Sequence, residues 1–204
     1  MSLPEGIAAK AEDIVDTLTH TVYQHTDNID PTAGVYDCDC NGYVAFVLQN
    51  TAKRHFAVIP KEASQPRPRA FEYFDFFASL PPSSAGRWER IDLLKNADRG
   101  DILAWRSPTV KAHEDTGHVV ILAEAPALDP SGDFFTVRIY DSAAEAHFSD
   151  TRPSPAGATG VGSGIINLKI DGAGRPLAYL FAPPATAQYS YRPIAIGRAL
   201  SILP

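Results

Sequence analysis

The chain predicts an α+β fold, with helices ahead of an antiparallel sheet, and three observations carry this. Apolar side chains recur at helical spacing over residues 4–24, and a second apolar run starts directly at Cys40. After Arg99-Gly100 the pattern changes to short segments rich in β-branched and apolar residues, separated by Gly, Pro and Asp. The 204 residues, 45% of them hydrophobic, suit a single domain over 1–204 with enough apolar material for one core. That composition excludes intrinsic disorder.

Each element has its own signal. Ile7, Ala11, Ile14, Val15, Leu18 and Val22 follow the 3 and 4 spacing of one helix face, which predicts an amphipathic helix from Pro4 to about Gln24. Thr26 to Asp37 is polar and turn-rich, with Asp30-Pro31 and Gly34. Tyr43, Val44, Phe46, Val47 and Leu48 follow Cys40-Asn41-Gly42, so a largely buried helix begins near Cys40. Pro60, Pro66 and Pro68 stiffen a connection, and Phe71, Tyr73, Phe74, Phe76 and Phe77 form an aromatic helical segment stopped by Pro81-Pro82. The stretch 51–98 reads as an insertion. Strands are predicted at Asp101–Arg106, His118–Glu124, Phe134–Asp141, Gly164–Ile170 and Leu177–Phe181, the last two joined by a hairpin over Asp171–Pro176. No internal repeat occurs.

Charge and hydropathy remove several function classes. Eighteen Lys and Arg against 24 Asp and Glu leave a net charge of −6, with no basic stripe to track a phosphate backbone, which argues against nucleic acid as a partner. No window approaches the roughly 18 consecutive apolar residues of a membrane span. The N-terminus lacks a basic segment followed by an apolar run. A periplasmic or secreted location is expected if an export signal has been removed ahead of Met1-Ser2-Leu3, and a cytoplasmic one otherwise. Cys38 and Cys40, one residue apart, are too close to staple distant segments and read as thiols.

Cys40 carries the chemistry. At a helix start, free backbone N–H groups and the positive end of the dipole favour thiolate over thiol, which makes a nucleophile. Free cysteine is also among the most buried residue types, so core packing is the plain alternative. Tyr36-Asp37-Cys38-Asp39-Cys40-Asn41-Gly42-Tyr43-Val44 resembles the Asp-Cys-Ser-Gly-hydrophobic signature of the NlpC family, papain-like cysteine peptidases that cut bacterial cell-wall peptides, with Asn41 in place of Ser. Arg99-Gly100-Asp101-Ile102-Leu103-Ala104-Trp105 is similar to that family's Pro-Gly-Asp strand opening, and Gly117-His118-Val119-Val120-Ile121-Leu122 to its His-bearing strand. The three motifs occur in the family's order and cover mainly residues 36–48 and 99–123.

The resemblance implies a papain-like, NlpC-type architecture in which Cys40 is the nucleophile and His118 the base. It also implies a tyrosine hydroxyl at the oxyanion site, for which Tyr23 and Tyr36 are the candidates. Such sites need a third group to accept a hydrogen bond from the far imidazole nitrogen. Asp141, ending the strand after that of His118, is the candidate if the two strands are antiparallel neighbours, and His147 is the fallback. Arg152, in a polar, glycine-rich region, is a candidate for binding a substrate carboxylate. That region, from Asp150 through Gly157 to Gly164, lacks the Lys-Ser/Thr of a phosphate loop, so no nucleotide cofactor is expected. His113, Glu114, Asp115 and His118, or Cys38-x-Cys40 with a histidine, are poor metal sites, because paired cysteine ligands of zinc are usually two to four residues apart. No metal is expected. His20, His25 and His55 read as solvated surface.

The function these residues predict is a cysteine peptidase or amidase acting on peptidoglycan-derived peptides, with muropeptides favoured over intact wall. The same thioester chemistry would also serve an acyltransferase, or an amidase on a non-wall substrate. A catalytically inactive peptide-binding domain, using the aromatic segment 71–77 as its contact surface, is the third reading.

Overall fold

The structure is a computed structural model that describes residues 1–81, 86–110, 115–152, 159–181 and 188–201. Helix α1 (Leu3–Thr17) is capped by Ser2, whose Oγ accepts from the Glu5 N–H, and buries Ile7, Ala8, Ala11 and Ile14. It stops well short of Gln24. The run Thr19-His20-Thr21-Val22-Tyr23 is β-branched and aromatic, and it is drawn out as extended chain beside the β1–β2 hairpin (Asn28–Asp30 and Val35–Asp37), with the Tyr36 N–H donating to His20 O and the Cys38 N–H to Val22 O. Val22 is consequently exposed rather than part of the helix face.

Helix α2 (Cys40–Thr51) starts where the sequence places it, and the short α3 (Lys53–Phe56) follows. Helix α4 (Ala70–Ser79) is the aromatic segment, with Glu72 reaching back to the Arg69 N–H at 2.7 Å. Strand β3 (Trp88–Arg90) then leads to β4 (Ile102–Arg106), β5 (Gly117–Leu122), β6 (Ala127–Leu128), β7 (Phe135–Ala143), β8 (Gly160–Ile170), β9 (Pro176–Leu180), β10 (Ser190–Tyr191) and β11 (Ile194–Ala199). These nine form one antiparallel sheet in the order β10-β9-β8-β7-β5-β4-β11-β3, with β6 beside β7. The last strand, β11, enters between β4 and β3.

The period-2 alternation of the strands divides the interior into two apolar clusters. Ile102, Ala104, Val119 and Ile121 face the helices with Ile7, Val44, Leu48, Tyr73, Phe77 and Trp88. Leu103, Trp105, Val120, Leu122, Val137, Ile139, Ile166 and Leu168 form the second cluster. Here the sheet coils: Tyr179 of β9 stacks on Trp105 of β4 at 4.2 Å, although three strands lie between them in the sheet order.

The stretch 51–98 is not an appendage. Tyr73, Phe77 and Trp88 are buried in the main core, and β3 forms the sheet edge. Two of the five aromatics of the segment 71–77 are thus committed to the core, which weakens its expected role as a contact surface. His55, expected at the surface, is buried: its ring meets Leu200 O at 2.9 Å, and its backbone oxygen accepts the Trp88 indole N–H at 3.0 Å. No helix among the described residues is long and apolar enough to cross a membrane.

Candidate active site

Asp39 creates the start of α2. Its backbone is extended, and its Oδ1 accepts from the Gly42 N–H at 2.8 Å, satisfying one of the helix's free donors. A side chain on Gly42 would run into the Asp27 carboxylate and lie 2.9 Å from the Cys38 Cβ, so the glycine allows the chain before the helix to fold back over its first turn. Cys40 is therefore the first helical residue. The backbone N–H of Val119, the residue after His118, faces its sulfur.

A cleft of about 490 Å³ opens at this point, lined by Tyr23, Asp39, Cys40, Arg67, Asp115 and Gly117 among others. Arg67, from the proline-rich connection, bridges two carboxylates through Nη2, at 2.9 Å to Asp27 Oδ1 and 2.9 Å to Asp39 Oδ1. Burial alone would raise the Asp39 carboxyl, but Arg67 and the hydrogen bonds from Gly42 and His25 outweigh it and hold it below the ordinary value. The sequence gives little sign of Arg67. A lone arginine between two prolines has no periodicity to read, and only the fold sets it beside the Asp39 cap.

His118 lies near the start of β5, opposite Trp105 of β4. Its ring packs on Trp105, centroids 5.0 Å apart, and edge-on to Phe181 at 5.2 Å. Strands β5 and β7 are antiparallel neighbours, and the His118 Nε2 lies 2.6 Å from Asp141 Oδ2. Asp141 is two residues inside β7 rather than at its end, and it is wholly buried. Burial would raise its carboxyl, yet the charges of His147 and Arg152 and the hydrogen bonds from both histidines prevail and hold it well below the usual range. An ionised Asp141 only accepts, so His118 carries a proton on Nε2, and Nδ1 is the ring nitrogen that this bond leaves free.

The site residues named from sequence separate in three dimensions. Cys40 and Tyr23 share the cleft, and Cys40 reaches the backbone of β5 next to His118. Among the described residues no hydrogen bond joins the thiol directly to the imidazole. The helix start does not produce a low thiol. Burial, first, and then the Asp39 carboxylate push Cys40 well above its ordinary value, against the smaller opposing effect of the Val119 N–H. Tyr23 is pushed up by burial and by neighbouring Cys40 and Asp39, which keeps its phenol a hydrogen-bond donor.

Tyr36 is elsewhere. It is 3% exposed, edge-on to Phe46, with Lys10 and Asp13 of α1 as its charged neighbours, because alternation in β2 turns it into the helix layer and away from the cleft. It is no oxyanion donor in this geometry. Arg152 is also displaced from its expected role: its side chain is 0% exposed and fully engaged by Asp141 Oδ1 at 2.5 Å, Asp150 Oδ2 at 2.5 Å and Gly160 O at 2.7 Å, so it cannot reach a substrate carboxylate. His147 does not replace Asp141; its Nε2 lies 2.9 Å from the same Oδ2.

Cys38 and Cys40 are both free and buried. Among the described residues no group of three or more His, Cys, Asp and Glu side chains is placed to hold a metal ion. His113, Glu114 and Gly157 lie outside those residues. Comparison with models of protein families, with curated proteins and with solved structures finds no match to this chain.

Proposed function

We propose that the protein is a papain-like cysteine hydrolase of NlpC type that cleaves an amide bond in a cell-wall-derived peptide. The observation that carries this is the His118–Asp141 hydrogen bond, which leaves Nδ1 as a proton acceptor one residue from the point where the Cys40 sulfur meets β5. The order of motifs along the chain and the antiparallel pairing of β5 with β7 support it.

In this reading the thiol is neutral until substrate enters, as its burial and the adjacent Asp39 carboxylate require. Substrate excludes water from the cleft and draws thiol and imidazole together, a tightening that unliganded sites commonly await. The thiol proton passes to His118 Nδ1 as sulfur attacks the carbonyl carbon. The developing oxyanion meets the Cys40 backbone N–H and the Tyr23 hydroxyl. The C–N bond then breaks, and His118 returns its proton to the leaving amine. Water, deprotonated by His118, attacks the thioester, releasing the acid and restoring the thiol.

A second reading has its own support: the strongly raised thiol and the missing sulfur–imidazole bond suit a domain that binds peptides without turnover. One experiment separates the two. The purified protein is incubated with a panel of soluble muropeptides and the products are read by mass spectrometry, with Cys40→Ala as the control. Cleavage of one bond, lost in the control, supports the hydrolase. Binding with no product, together with no alkylation of Cys40 by a thiol probe, overturns it in favour of the binder.

A further inference from the structure

Behind His118 lies a buried chain of charges that the proposed reaction does not by itself require. His147 has no exposed side-chain surface, yet both ring nitrogens face acceptors: Nδ1 is 3.0 Å from Phe181 O and Nε2 is 2.9 Å from Asp141 Oδ2. A carbonyl oxygen only accepts, so Nδ1 carries a hydrogen. The Nε2–Oδ2 bond then needs one proton, held on either side.

Asp141 decides which side. Its Oδ1 accepts Arg152 Nη2 at 2.5 Å, its backbone oxygen accepts the same nitrogen at 3.1 Å, and its Oδ2 also receives His118 Nε2. Two donors on the carboxyl besides His147, one of them the Arg152 cation, favour the carboxylate, which leaves the proton on His147. Asp150 completes the set, with Oδ2 taking the His147 backbone N–H at 2.7 Å and Arg152 Nη1 at 2.5 Å. Cation and anion alternate as His147, Asp141, Arg152 and Asp150, with no net charge, which is how a cluster this deep avoids the cost of an unpaired ion.

We propose that His147 is a fixed imidazolium and a positioning residue, which together with Arg152 keeps Asp141 ionised and thereby holds His118 in the tautomer that presents Nδ1. The role rests on the hydrolase reading above. The charge state does not. The consequence for the reaction is twofold: the Nε2–H tautomer of His118 is enforced, and the cation behind Asp141 stops that carboxylate from retaining the proton that His118 must return to the leaving amine. A neutral residue at 147 would leave the His118–Asp141 pair holding a proton more tightly. The charged or titratable groups facing His147 are Asp141 of β7, Asp150 and Arg152 of the following loop and, through Asp141, His118 of β5; Phe181 meets its ring edge-on at 4.2 Å.

Nitrogen–proton correlation spectra of the full-length protein with 15N-labelled histidine test the charge state, since imidazolium and the two neutral tautomers have different signatures. One histidine, assigned by its loss in His147→Gln, is expected to show both nitrogens protonated from about pH 5 to pH 9, a range across which an unperturbed histidine titrates. A neutral His147 with the proton only on Nδ1 overturns the proposal, because the second proton then sits on Asp141. For the role, His147→Gln is expected to lower kcat roughly 10- to 100-fold, part of the 10²–10⁴ that general acid–base catalysis supplies, with KM nearly unchanged and the acid limb of the pH–rate profile moved to higher pH. An unmoved profile overturns it. Should His147→Gln fail to fold, Arg152→Lys, which keeps the charge but loses the fork, is expected to shift the same limb in the same direction. Failure of the hydrolase reading appears separately, as a Cys40 that neither turns over muropeptides nor reacts with a thiol probe.

Discussion

Arg67 places its Nη2 2.9 Å from Oδ1 of Asp39, the same oxygen that caps the helix beginning at Cys40. One carboxylate therefore shapes the backbone of Cys40, the proposed nucleophile, and bears on its charge. Asp39 raises the thiol, and Arg67 offsets the Asp39 charge from across the cleft. Replacing Arg67 by Gln keeps a hydrogen-bond donor and removes the charge. Alkylation of Cys40 by iodoacetamide is expected to slow, and chemical denaturation to show a loss of about 1–3 kcal/mol, as for other partly buried groups left without a partner. Faster labelling in this variant would show that Arg67 acts chiefly as a shield.

The two cysteines should behave differently. Cys40 lines the cleft, whereas Cys38 is 0% exposed and away from it. Under native conditions peptide mapping after alkylation is expected to find label on Cys40 and little on Cys38. Cys40→Ala should abolish turnover with the fold intact. Cys38→Ala should retain turnover at a stability cost of about 1 kcal/mol, the size of a small buried deletion.

Both thiols are held above their ordinary value, mainly by burial, and this fixes the sign of the alkaline response. The folded chain keeps protons that the unfolded chain releases above the free cysteine value of about 8.5. Stability is therefore whole below that pH and falls above it, by about 1.4 kcal/mol per pH unit for each thiol. Thermal or urea unfolding between about pH 8 and 10 should show this slope, reduced by one thiol's share in Cys38→Ala.

Asp141 accepts from His118, His147 and Arg152 at once. Asp141→Asn leaves two buried cations with one anion, and a loss of roughly 3–5 kcal/mol is expected on breaking such a cluster. In the protein that remains folded, turnover should drop by roughly 10- to 10⁴-fold, the upper end being the cost of a wrong tautomer in a Ser-His-Asp triad. Calorimetry and kinetics together separate the two effects. Wild-type turnover in a folded Asp141→Asn variant would remove Asp141 from the reaction.

Tyr23 and Tyr36 give a matched pair. Tyr23→Phe removes a cleft hydroxyl and should lower kcat by roughly 10²- to 10³-fold, the measured cost of losing one oxyanion donor elsewhere, with an unchanged melting temperature. Tyr36→Phe, facing α1, should leave kcat as it is.

Much of this architecture is local and so could be read along the chain. The Asp39 cap, the Cys40-Asn41-Gly42 start and the apolar run behind it lie within one stretch of a dozen residues, and helix chemistry acts over that range. The strands declare themselves by alternation, and the hairpin joining β8 and β9 by its turn residues. Two neighbouring strands, β5 and β7, were enough to bring Asp141 towards His118. The spacing of Leu18 and Val22 suits a helix, but α1 ends at Thr17 because the β-branched run around them gains more by pairing with β2.

The remainder depends on contacts between residues far apart in sequence, which no local pattern encodes. Alternation in β2 turned Tyr36 inward, and the packing of the core enclosed His55. The coiling of the sheet carried β9 across β4, so that Phe181 met both His118 and His147. Only that enclosure gives Arg152 and His147 their meaning. On a solvated loop an arginine and a histidine are ordinary polar residues; buried against one carboxylate, where water cannot screen or solvate them, each must be paired, and the pairing sets the proton positions around the candidate nucleophile and base.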